Sequence, residues 1–203
     1  ACSRQAPVLM VLLPGANMTP AERLAAGMVT AVRDRQLAVD VVLADAQLNY
    51  IYDGSMLQRL RQDVIAPLRA RGYRRVWLGY AMRHADEVEG LVTLAPYLGR
   101  RPLVQAVAEA PSPAAWRQSA QPREADDFDH ELWLWLTQRP ADAPPLYMGY
   151  GTEDRFAQGH RTLAGLLPAG HADTVAGGHD WAPWQQLWGR WLDRGLLPRR
   201  CTT

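Results

Sequence analysis

The chain has 203 residues, 48% of them apolar and 21% charged, enough to bury one sizeable core and too apolar for a disordered or fibrous chain. Its 22 basic residues are all arginine and its 21 acids are interspersed among them, so the formal net charge is +1 and no single-sign field attracts nucleic acid. The longest apolar run, Val8 to Leu13, is far short of the ~20 residues that a membrane-spanning helix needs.

Pro7 to Leu13 is a continuous apolar run stopped by Pro14-Gly15, the pattern of a strand buried on both faces of a parallel sheet. Thr19-Pro20-Ala21-Glu22 reads as a capping box with proline at the first helical position and predicts a helix to about Arg35. Val39 to Ala44 is a second buried strand, followed by a Tyr-rich loop from Asn49 to Gly54. Ser55 and Gln58 cap a helix whose Leu57, Leu60, Val64 and Leu68 share one face; Pro67 kinks its last turn and Gly72 closes it. Val76 to Gly79 and Val88 to Ala95 are the third and fourth strands. Between Pro96 and Pro145 the regularity weakens around a helix-like patch at Glu131 to Thr137, and residues 97–144 read as a lid-like insertion. Pro145 to Tyr150 restores a strand, Phe156 to Leu167 a helix and Ala172 to Ala176 a short strand. A final helix runs from Asp180 or Trp181 to about Arg194. Its Trp181, Trp184, Trp188 and Trp191 fall within about 80° on a helical wheel, a stripe that either packs on the sheet or lines a substrate platform. The alternation predicts an α/β chain: a doubly wound, mostly parallel sheet, one domain over 1–203.

Cys2 and Cys201 lie at opposite ends, which excludes a disulfide framework and a zinc site built from several cysteines. Ala1-Cys2-Ser3 resembles the start of a bacterial lipoprotein after signal removal. That resemblance implies lipidation of Cys2 and a periplasmic or envelope-anchored protein; a cytoplasmic free thiol, or a Cys2 to Cys201 disulfide, is the other reading.

Ligands of open α/β sheets collect at the carboxyl ends of the strands. Three loops there carry chemistry: Leu13 to Asn17, Gly149 to Asp154, and Ala176 to Trp181 with a histidine presented by two glycines. An acid and then a histidine on successive late strand ends is the chain order of an α/β-hydrolase. In Leu13-Pro14-Gly15, Gly90 to Pro96, Gly151-Thr152-Glu153-Asp154 and Gly178-His179-Asp180-Trp181 the chain resembles that family of serine esterases and lipases, over nearly its whole length. The resemblance implies that Asp154 is the acid orienting His179, with Glu153 in reserve, and that His179 is the general base. It also implies an oxyanion hole at the amides of Ala16 and Asn17, a small-molecule acyl substrate, and no metal or organic cofactor. An Asp154 oxygen is then expected within ~2.6–3.2 Å of a His179 ring nitrogen. The competing reading makes Asp154 a helix N-cap and His179 a turn residue. Asp126, Asp127, Asp129, His130 and Glu131 read as an acidic loop capping the next helix, with metal binding as the alternative.

The nucleophile elbow of that family, G-x-S-x-G, occurs nowhere in the chain. Of the four serines, Ser3 is terminal, Ser55 caps a helix, and Ser112 and Ser119 fall in the insertion. A helix running back along a five-residue strand of ~17 Å needs ~11 residues, and only residues 79–90 connect the third strand to the fourth. The elbow and most of its helix are therefore expected between Gly79 and Tyr80, as a missing segment, so that these two are not bonded neighbours. The chain then reads as a serine hydrolase of ester bonds; the alternative is a hydrolase-fold binding or structural module that has lost its nucleophile. A nucleotide-binding domain ranks below both, because no glycine-rich phosphate loop follows a strand.

Overall fold

The apolar run after Pro7 forms β1 (Val8–Leu12), and Val8, Leu9, Met10 and Val11 have almost no exposed surface. In the computed structural model, which describes residues 5–15, 18–45, 55–77, 88–119 and 127–199, β1 is the middle strand of a three-stranded sheet. It pairs in parallel with β2 (Val39–Leu43), Val8 opposite Val39, and with β3 (Arg75–Trp77), Val8 opposite Arg75. A central parallel strand has neighbours on both edges and cover on both faces, which is why its sequence lacks polar alternation.

The helix expected from Thr19 to Arg35 is two helices. Thr19 caps α1 (Pro20–Ala25) in a reciprocal capping box with Glu22, but Gly27 at φ 77° ends it and α2 (Met28–Asp34) starts anew. The left-handed backbone at Gly27 costs glycine nothing and is the usual stop for a helix. Between β2 and β3, Met56 to Ala70 is helical throughout: α3 (Met56–Arg59), a π-helical turn (Leu60–Ile65) and α4 (Ala66–Ala70). The widened turn immediately precedes Pro67, which lacks the amide hydrogen for a regular i to i−4 bond. The perturbation thus lies one turn earlier than the kink expected at Pro67.

A second sheet has the order β4 (Leu91–Leu94), β5 (Leu146–Gly151), β6 (Ala172–Val175), with β5 and β6 parallel and Gly151 opposite Val175. Hydrogen bonds among the described residues join the strands into these two sheets, and residues 78–87, between β3 and β4, lie outside the described residues. Packing divides the chain into two compact units, Ala1–Val92 with Trp188–Thr203, and Thr93–Leu187. Residues 97–144 contribute α5 (Arg101–Glu109), α6 (Pro113–Ser119) and α7 (Phe128–Thr137) and, among those described, no strand. The patch expected at Glu131 to Thr137 is the greater part of α7, while α5 and α6 form where the sequence shows no helical pattern; buried Val104, Val107 and Trp116 hold them in place. Trp133 is fully buried and donates to Leu98 O at 2.7 Å. The remaining helices are α8 (Ala157–Ala164) and α9 (Trp181–Leu192). No helix among the described residues is long and apolar enough to cross a membrane.

Arg23 on α1 is a buried cation, 3% exposed, whose guanidinium donates to Leu12 O at the end of β1 and to Ala44 O just past β2. Burial lowers its pKa from the usual guanidinium value, with Asp45 opposing. Arg23→Met keeps the apolar stem but leaves Ala44 O without this donor, which should cost about 2 kcal/mol. The expected readout is a lower urea midpoint at unchanged m-value; an unchanged midpoint would show that water replaces the guanidinium.

Candidate active site

The last two strands carry their loops very close together. Beyond the paired register, Thr152 N donates to Val175 O at 2.8 Å and Glu153 N to Gly177 O at 3.0 Å. A Cβ on Gly151 would lie 2.2 Å from Gly177 O and 2.7 Å from Gly178 O, so only glycine permits the approach. Gly177 itself sits at φ +116°, and a Cβ there would meet Pro183 Cγ at 2.7 Å.

Between these loops Asp154 is held by a tight turn, its amide donating to Gly151 O at 3.1 Å. One carboxylate oxygen, Oδ1, accepts from Phe156 N at 2.8 Å, ahead of α8. The other, Oδ2, lies 2.8 Å from His179 Nδ1, inside the expected range. The contact to the histidine is present and the helix cap is not: Phe156 is itself the N-cap residue of α8, no side chain caps that helix, and Oδ1 serves the turn before it. The Asp154 side chain has no exposed surface, whereas 22% of the His179 side chain is exposed. A carboxylate can only accept, so Nδ1 carries the proton, and in the neutral ring Nε2 is the bare, basic nitrogen. Among the described residues Nε2 has no hydrogen-bond partner. Phe156 and Trp184 pack edge-on to the imidazole, with centroids 5.2 and 4.8 Å away and interplanar angles of 84° and 87°. An oriented ring with one free basic nitrogen can take a proton from a hydroxyl or from water.

Other residues singled out in the sequence lie elsewhere. Glu153 is exposed and joins Gly177 through its amide; it is Asp154 that reaches His179. Ala16 and Asn17, Cys2 and Cys201, and Gly79 and Tyr80 lie outside the described residues. Ser112 Oγ accepts from Ala115 N at the start of α6, and Ser119 Oγ donates to Trp116 O. In the acidic loop, Asp127 caps α7 through His130 N, and Arg100 binds Asp127 at 2.9 Å and Asp129 at 3.2 Å, which favours the capping reading. The tryptophan stripe divides. Trp188 is buried, donates to Met28 O at 2.9 Å and stacks on Trp191, while Trp184 borders His179 and contacts Trp181.

His160, which no sequence motif singles out, is fully buried on α8. Its Nε2 donates to Pro96 O at 2.9 Å, its ring packs 5.0 Å from Tyr150, and its buried Nδ1 has no partner among the described residues. Burial lowers its pKa below 6.5, against hydrogen bonding to Pro96 and the charge of Asp154. The available signal was its position on the helix face that carries Ala157 and Leu163.

No family model and no curated protein matches the sequence. Solved structures do share its fold. A ferulic acid esterase superposes with a TM-score of 0.60 at 16% identity, over 94% of this chain and 84% of that one. An S-formylglutathione hydrolase from Staphylococcus aureus gives 0.58 at 14% identity, over 95% and 82%. A fluorophosphonate-binding serine hydrolase of the same organism gives 0.57 at 14%, over 95% and 84%. The fold is of the α/β-hydrolase type; identities this low speak to architecture alone.

Gly151→Ala should force the two loops apart and cost roughly 3 kcal/mol, against about 1 kcal/mol for Gly170→Ala, where strain at positive φ is the sole penalty. Equal losses in urea denaturation would mean that the loops separate freely. For His160 the folded pKa lies below the unfolded one, so its contribution is fully present above 6.5 and is lost as pH falls through the folded value. The native chain should therefore lose more stability than His160→Gln between about pH 7.5 and 5; parallel losses would assign the acid sensitivity to other groups.

Proposed function

We propose that the chain is an acyl-ester hydrolase of the serine type, with Asp154 as the orienting acid and His179 as the general base. The observation that carries the reading is the 2.8 Å hydrogen bond between a fully buried carboxylate and Nδ1 of a partly exposed imidazole. In the proposed reaction a hydroxyl attacks the ester carbonyl while His179 Nε2 takes its proton, and the Asp154 carboxylate stabilises the imidazolium. The amides of Ala16 and Asn17 would hold the oxyanion, and the protonated ring then donates to the departing alcohol. Water repeats the sequence on the acyl-enzyme. Residues 97–144 serve as the lid over the acyl group. A small-molecule ester substrate agrees with fold neighbours that are named as esterase and serine hydrolase.

The nucleophile is proposed to belong to a segment missing between Gly79 and Tyr80. Arg75 and Glu89, 14 positions apart, form an ion pair at 2.7 Å, and Glu89 N donates to Val76 O, so the end of β3 and the approach to β4 are neighbours. A connection that leaves and returns within so few residues is short for a crossover helix. With no G-x-S-x-G in its sequence, the chain as it stands is equally served by the second reading, a hydrolase-fold module without a nucleophile.

A graft of ~11 residues carrying G-x-S-x-G between Gly79 and Tyr80 separates the two readings. The graft should label with a fluorophosphonate probe and hydrolyse p-nitrophenyl acetate, whereas the ungrafted chain should not label. Adding His179→Ala to the graft should lower kcat at least about a hundredfold. A folded graft that neither labels nor hydrolyses would leave the module reading; labelling of the ungrafted chain would locate the nucleophile elsewhere.

A further inference from the structure

The imidazole of His179 is the junction of two aromatic arms. One passes through Trp184 to Trp181, whose ring centroid is 5.4 Å from that of Trp184. The other passes through Phe156 to Tyr97, 6.0 Å apart and nearly perpendicular. The arms differ in what they leave open. Trp184 is 9% exposed, whereas Phe156 is half-buried and Tyr97 is 56% exposed. Edge-to-face packing in the second arm leaves aromatic surface uncovered beside the candidate base. Arg155 stands on the same arm, its guanidinium carbon 5.0 Å from the Phe156 centroid. Among the described residues Arg155 makes no hydrogen bond or ion pair, in contrast to Arg100, which is taken up by Asp127 and Asp129. An exposed tyrosine, a half-open phenylalanine and an uncommitted guanidinium side by side match the chemistry of a planar ring that bears an anionic oxygen group.

We propose that Tyr97, Phe156 and Arg155 form a specificity subsite for an ester whose aromatic ring carries an anionic oxygen group, the ring lying against Phe156 and Tyr97 and the anion on Arg155. The assignment rests on His179 being the base, since Phe156 touches both the imidazole and Arg155 and so links the reacting end of the substrate to its charged end. The guanidinium fork accepts a carboxylate in a bidentate geometry, and the ring faces favour a planar group over a puckered one of equal charge.

Binding to the 203-residue chain itself tests this, because occupancy of the subsite requires no nucleophile. Monomethyl terephthalate puts the ring on the acyl side of the ester and 4-acetoxybenzoate puts it on the alcohol side. Monomethyl cyclohexane-1,4-dicarboxylate retains charge and length without planarity, and methyl benzoate retains the ring without the anion. Titration is followed by calorimetry and by the His179 ring resonances. At least one charged aromatic ester should bind about tenfold more tightly than both controls and shift the His179 signals. Tyr97→Leu and Arg155→Gln, both at exposed positions, should each weaken it roughly fivefold, Arg155→Gln without effect on methyl benzoate. Which of the two esters binds assigns the ring to the acyl or the alcohol side. Equal binding of the cyclohexane ester, absence of saturable binding by either charged aromatic ester, or unchanged affinity in both variants overturns the subsite. Failure of the graft to react would overturn the hydrolase reading and leave these affinities as they are.

Discussion

A carboxylate with no exposed surface must have its oxygens occupied, because an unpaired buried charge costs far more than a hydrogen bond returns. Asp154 meets that demand with two donors, Phe156 N and His179 Nδ1. Both donors have to be delivered to one point by separate loops, and the demands propagate outward from there. The turn from Gly151 to Asp154 aims the carboxylate, and the Gly177-Gly178 segment brings up the histidine. The two loops touch at a spacing that excludes any Cβ on Gly151. One strand position earlier on the same face, Gly149 is pressed by Leu187 of α9, where a Cβ would meet Leu187 Cδ2 at 2.9 Å. Gly151 thus follows from the close approach of the two loops that hold Asp154 and His179, and Gly149 from the packing of α9.

Much of this was legible because it depends on local chemistry. The uninterrupted apolar run of β1, the Thr19 capping box and the acid-then-histidine order on the last two strand ends each carry their signal within a few residues. Features set by tertiary packing were not legible. Nothing in the Pro- and Ala-rich stretch announces α5 and α6, whose order comes from buried Val104, Val107 and Trp116. The tryptophans of α9 share one stripe, but the stripe does not show that Trp184, buried like Trp188 and Trp191, also borders the imidazole. Gly27 was visible, but as one glycine in a long helical pattern its role as a stop emerges only with its left-handed backbone. Asp154 shows a different limit. Its spacing before α8 suggests an N-cap, but the helix starts at Ala157 with Phe156 as its N-cap residue, so Oδ1 serves the preceding turn instead.

The surroundings of His179 restrict the ring from three sides. Phe156 and Trp184 stand perpendicular to the ring and restrict its rotation, while Asp154 fixes the tautomer. The only ring nitrogen left is the one that a base would use. Buried His160, whose pKa is lowered by burial against the hydrogen bond to Pro96 O and the charge of Asp154, lies close enough to feel that charge, in an environment of low polarity. In such surroundings the Asp154 to His179 bond gains strength relative to water. On the proposed function, Asp154 and His179 would be the orienting and proton-accepting half of the site.

The central claim, that Asp154 fixes His179 with the proton on Nδ1 and the lone pair on Nε2, is tested most directly by NMR of the protein with 15N-labelled histidine. A far-downfield proton coupled to the Nδ1 of His179, with Nε2 bare in the neutral ring and loss of that proton signal in Asp154→Ala, is the predicted result. A His179 ring protonated on Nε2, or a spectrum that Asp154→Ala leaves unchanged, would contradict the account.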